Sequence, residues 1–93
     1  MIKSFIDKGL TELFSTSRTS RIDKRFHRRI ISRLDTLDDT TNVDELAALP
    51  GYDFHALKGI KPTRYTIHVN GPWCITFEFE DGDAYRLKFK QYL

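Results

Sequence analysis

Cysteine is almost missing from this sequence. Cys74 is the only one in 93 residues, so no disulfide can close within the chain. His27, His55 and His68 converge with that thiol on no ligand spacing, so no metal is expected, and no other cofactor. Glycine is scarce too, at 5 residues. The stretch "HALKGIKPT" has a lone glycine and no helix after it, which argues against a phosphate loop and nucleotide hydrolysis. No apolar run approaches the length of a signal core or a membrane span, so the chain reads as cytoplasmic, with no membrane partner. A length of 93 residues accommodates one small domain, 1–93, and excludes a separate cofactor domain.

What is present supports a folded interior: 40% hydrophobic residues and 13% aromatics exceed what disordered chains carry. The net charge of +2 conceals blocks. Arg18, Arg21, Lys24, Arg25, Arg28, Arg29 and Arg33 crowd one segment; Asp35, Asp38, Asp39, Asp44 and Glu45 follow it; Arg86, Lys88 and Lys90 form a second basic group. Such a dipolar surface suits an anionic partner.

The periodicity predicts an α+β domain. "MIKSF" alternates like a short first strand. Asp7 is placed to cap "KGLTELFSTS", whose Leu10, Leu13 and Phe14 recur at helical spacing. From Ile22 the apolar residues Phe26, Ile30, Leu34 and Leu37 continue a second amphipathic helix. Its other side carries Arg21, Arg25, Arg28 and Ser32, flanked by Lys24 and Arg29, which is either a solvated face or a nucleic-acid surface. "NVDELAALPG" reads as a short helix stopped by Pro50 and Gly51. The period then changes to two. "YDFHALKG" is a strand ending near Gly59. Tyr65, Ile67 and Val69 share one face of the next, opposite Arg64, Thr66 and His68. Trp73, Ile75, Phe77 and Phe79 oppose Cys74, Thr76, Glu78 and Glu80, and "DGD" marks a hairpin. Tyr85, Leu87 and Phe89 point inward on the last strand.

N-terminal helices packed on one face of a curved antiparallel sheet leave a polar, cation-rich face exposed. That face suits a phosphate backbone better than a small apolar ligand. Metal-free RNA cleavage uses the strand's own 2′-hydroxyl, so a protein need supply only a proton acceptor, cations and a proton donor. His55, Lys58, Lys61, Arg64, Arg86 and Tyr92 include those types. Cys74 has no activating base fixed by spacing and reads as an inert, partly exposed thiol.

Several stretches carry a resemblance. "MIKSF...KGL..LF", "HALKG" at 55–59, "VNGPW.ITFEFEDGDAY" at 69–85 and the closing tyrosine, in order across the chain, resemble the HigB branch of the RelE/ParE toxin superfamily. The resemblance implies a small α+β toxin of a type II toxin–antitoxin system that cuts mRNA in the ribosomal A site. It also implies a helix-turn-helix, HigA-like antitoxin, and operator DNA met only through that antitoxin. His55 and Lys58 fall on the active-site pattern, with the lysine as base or charge stabiliser. Arg21, Lys24, Arg25, Arg28, Arg29, Lys61, Arg64, Arg86 and Lys88 become the ribosome- and RNA-binding set.

Departures from that pattern matter. Cys74 stands where the pattern has an arginine that holds the scissile phosphate, and a thiol supplies neither its charge nor its fork of donors. The pattern ends in an acidic residue, Tyr and His; here Gln91, Tyr92 and Leu93 occupy those places. Three readings follow: a live toxin in which Lys61, Arg64, Arg86 or Lys88 replaces the arginine, a detoxified variant, or a member that only binds its antitoxin and co-regulates their operon. A gyrase-directed, ParE-like activity is a further alternative that "HALKG" disfavours.

Overall fold

The computed structural model describes residues 1–91. Helix α1 (Lys8–Thr16) starts where Asp7 accepts a hydrogen bond from the Gly9 amide at 3.1 Å, a side-chain N-cap. Leu10 and Leu13 are buried, whereas Phe14 stays at the rim against Phe5, 5.7 Å between rings. A Cβ at position 9 would sit 2.8 Å from the Ile22 side chain, so any larger residue there requires Ile22 to shift.

Helix α2 (His27–Asp39) begins later than the apolar spacing suggests. Asp23 caps a 3-10 turn, Lys24–Phe26, through the Arg25 amide at 2.9 Å, and only then does the α-helix start. Ile30, Leu34 and Leu37 are completely buried. The expected third helix is a 3-10 segment, Val43–Ala48, opened by a reciprocal cap between Asn42 and Glu45.

The sheet is antiparallel in the order β1 (His55–Leu57), β2 (Arg64–Asn70), β3 (Trp73–Glu80), β4 (Asp83–Gln91). The β3–β4 hairpin turns on Asp81 and Gly82, both at positive φ, the requirement of a tight primed turn. "MIKSF" forms no strand of its own; it runs parallel to the outer edge of β4 through bridges Ile2 to Ala84 and Phe5 to Leu87. Backbone bonds from Lys3 to Ala84 and from Ile6 to Leu87 cover that edge.

One inward residue is corrected. Ala84 and Leu87, not Tyr85, are buried. The register shifts between Thr76 and Glu78, so Tyr85 lies across from Glu78 while Lys88 lies across from Thr76. The extra residue is absorbed near Arg86, at φ 53, and its amide bonds the Ser4 hydroxyl at 2.9 Å. Such a bulge reverses the alternation of side chains. On the helix-facing side, Ile67, Val69, Ile75, Phe77 and Leu87 meet Leu10, Leu13, Ile30, Leu34 and Leu37 in one core.

Candidate active site

Pairing aligns the outer-face residues in rows across the strands. One row runs His68, Cys74, Lys90; the next runs His55, Thr66, Thr76, Lys88; the third runs Leu57, Arg64, Glu78, Tyr85. His55 and His68 are therefore diagonal neighbours, about 7–8 Å apart at this kind of position. Both line a cleft of about 200 Å³ with Asp53, Thr66, Trp73 and Cys74, walled by Gly71 and Pro72.

The ring nitrogens are oriented. A carbonyl can only accept, so His55 Nδ1–H donates to the Asp53 carbonyl at 3.0 Å, and Nε2 faces the Thr66 hydroxyl at 3.1 Å. His68 Nε2–H donates to the Gly71 carbonyl at 3.0 Å, which leaves Nδ1 as its basic nitrogen. Two imidazoles thus line one concave surface, each with one ring nitrogen held by a backbone carbonyl and the other left to bind or release a proton, the residue type that general acid–base chemistry uses most.

Cys74 forms part of the floor and is buried, 6% exposed, more enclosed than the sequence suggests. Burial pushes its thiol up, and the Lys90 ammonium partly pulls it back. Lys90 is therefore close enough to act on this floor electrostatically, and Lys88 follows two places back on the same face. Trp73 closes one wall, stacked on Phe89 at 4.8 Å and tilted on Phe26 at 5.7 Å.

The other candidates lie elsewhere. Arg64 is committed within the sheet: its guanidinium donates to Glu78 at 3.0 Å, and to the Thr76 hydroxyl and the Arg86 carbonyl, both at 2.9 Å. Arg86 reaches the same Glu78 at 3.9 Å. Lys58 and Lys61 sit on the exposed connection between β1 and β2, away from the cleft lining; Lys58 is three residues along from His55, roughly 10 Å of strand. Gln91 pairs across from Trp73, a row off the Cys74 face by alternation. Tyr92 lies outside the described residues, as does Leu93.

On the helical side, Arg29 donates to the Val69 carbonyl at 3.0 Å. Arg33 donates to the His68 carbonyl at 2.9 Å and lies over the Tyr52 ring at 4.0 Å. Arg21 pairs with Glu12 at 3.5 Å, and Lys24 and Arg28 project from the surface. The sequence places His68 and Lys90 on the outer face without giving them a role. Their signal was available only through register, because strand pairing brings His68 and Lys90 to either side of Cys74.

Among the described residues no three His, Cys, Asp or Glu side chains gather as a metal site, and no helix is long and apolar enough to cross a membrane.

A curved antiparallel sheet backed by two N-terminal helices, with imidazoles and lysines on its open face, defines a RelE-like toxin architecture. Residues 3–91 match the sequence profile of the HigB-like toxin family, described as the RelE-like toxin of type II toxin–antitoxin system HigB. The chain belongs to this family, and membership implies an antitoxin partner. It is also 41% identical over 92 residues to "Endoribonuclease HigB" of Proteus vulgaris, covering 99% of each protein.

Proposed function

We propose that this chain is the toxin of a type II pair and an endoribonuclease that cuts mRNA on the ribosome without a metal. The observation that carries the chemistry is the cleft in which His55 and His68 face one space beside Lys90. One imidazole takes the proton of the 2′-hydroxyl as that oxygen attacks phosphorus. The other enters the step as an imidazolium, protonated on both ring nitrogens, and gives the proton of its free nitrogen to the departing 5′-oxygen, leaving a cyclic phosphate on one fragment. Lys90 and Lys88 stabilise the charge that builds on the phosphate oxygens. Cys74 contributes a small neutral floor. Ribosomal RNA meets the exposed loop and helix start around Arg18 and Lys24, and a HigA-like, helix-turn-helix antitoxin silences the toxin and carries operator DNA.

The buried thiol favours one second reading: a weak enzyme whose main surviving role is antitoxin binding. Primer extension on mRNA in a purified translation system decides between them, comparing the chain with Cys74→Arg. The given chain cuts ribosome-bound mRNA, and the arginine raises the rate by up to about a hundredfold. Silence from both proteins would refute the endoribonuclease reading and leave the antitoxin-binding one.

A further inference from the structure

The groove between α2 and the β2–β3 turn plays no part in the chemistry above. Arg25, Arg28, Arg29, Ser32, Arg33 and Asn70 line it, enclosing about 350 Å³. Its charge is poorly balanced. Arg29 and Arg33 are held by backbone carbonyls, which fix the guanidinium groups without neutralising them. Among the described residues Arg25 meets one carboxylate, Asp23 at 3.9 Å, and lies over the Phe26 ring at 4.7 Å, whereas Arg28 enters no ion pair. Like charges gathered this way repel one another, and a bound anion reverses that cost. Planar guanidinium forks match phosphate oxygens in particular.

The position of the groove selects which phosphate. Asn70 opens the turn whose following residues, Gly71, Pro72 and Trp73, wall the cleft. Phe26, behind the groove, packs on Trp73 at 5.7 Å. One turn of backbone therefore separates the two depressions, and a strand leaving the cleft over Asn70 enters the groove directly.

We infer that this groove is a phosphodiester subsite for the RNA strand held in the cleft, receiving a phosphate that flanks the scissile one. The inference rests on the endoribonuclease reading of the cleft. Arg25 and Arg28 project at the groove's rim, but Arg33 is half-buried and Arg29 is tied to the sheet, positions that a strand lying in the groove meets and a ribosomal surface touching the rim does not.

The test uses Arg28→Gln, an exposed position whose loss leaves circular dichroism and thermal unfolding unchanged. Affinity is measured for vacant ribosomes and for ribosomes carrying an mRNA whose A-site codon is 2′-O-methylated and cannot be cut. The gain in affinity due to mRNA falls about tenfold in the variant, the effect of one charge-assisted contact, while affinity for vacant ribosomes holds. Single neutral methylphosphonate linkages then locate the phosphate: one linkage outside the scissile one weakens the wild type and leaves Arg28→Gln unaffected. A loss of vacant-ribosome affinity would assign the groove to ribosomal RNA and overturn the inference. So would equal behaviour of both proteins on every linkage. Absence of cleavage with an unmodified codon would sink the endoribonuclease reading alone, since the binding comparison does not depend on turnover.

Discussion

Burial pushes the Cys74 thiol above its ordinary value of 9.0, and the Lys90 ammonium only partly offsets it. The folded chain therefore holds a neutral thiol at physiological pH, which makes it a poor nucleophile even though it floors a cleft. The sign of the linkage follows. The unfolded chain ionises this group first, so its contribution to stability is complete below pH 9.0 and declines as pH rises past that value. At pH 8, iodoacetamide alkylates native Cys74 at least about tenfold more slowly than it does the urea-unfolded chain, because the thiolate fraction and access both fall. Equal rates in the two states would show that the thiol is neither enclosed nor shifted. At the same scale, a residue with so little reactivity serves the cleft as a small neutral part of its floor.

Helix α2 and strand β2 are joined through single side chains. Arg33 places its Nε on the His68 carbonyl at 2.9 Å, its Nη2 on the Gly51 carbonyl at 3.4 Å and its plane over Tyr52, whose hydroxyl donates to Thr36 at 2.8 Å. Arg33→Leu retains some packing but strands the His68 carbonyl, and it destabilises the domain by about 1–3 kcal/mol in urea unfolding. Arg33→Lys fails to restore it, since an ammonium cannot span both carbonyls and stack. A loss within experimental error would mean that the tie is ornamental. The periodicity that revealed these elements did not reveal this tie. Alternation in β2 and β3 gave Ile67, Ile75 and Phe77 correctly as core, because each strand is regular over those residues. It misplaced Tyr85, since a bulge beside Arg86 depends on what Ser4 offers to the β4 edge. The α2 start was read too early because Ile22 continues the apolar spacing, whereas Asp23 imposes a 3-10 turn through its cap. Likewise His55 stood out through a motif, but the meeting of His68 with it in one cleft required knowing which residues face each other across the sheet.

Over the whole molecule, the charge blocks of the sequence are engaged unequally by the fold. Arg18 and Lys24 stay exposed just before α2, whereas Asp38 takes the Ile2 amide and Asp83 takes the terminal ammonium at 3.4 Å where the hairpin returns. Those two carboxylates thus help close the chain, while the exposed cations before α2 keep a basic pole on the surface. Long-range attraction between such a pole and an RNA surface decays within a Debye length of about 8 Å at physiological salt. Association with vacant ribosomes therefore weakens as salt rises, and the log–log slope reports how many phosphates are neutralised. Lys24→Gln removes one exposed cation that enters no ion pair among the described residues and makes the slope shallower by about one. Arg28→Gln leaves that slope unchanged, because its groove is reached only by the strand in the cleft. Sedimentation of toxin with ribosomes between low and moderate salt measures both slopes. A wild-type slope near zero would mean that charge does not guide the encounter, and that the basic end of the domain faces solvent rather than RNA.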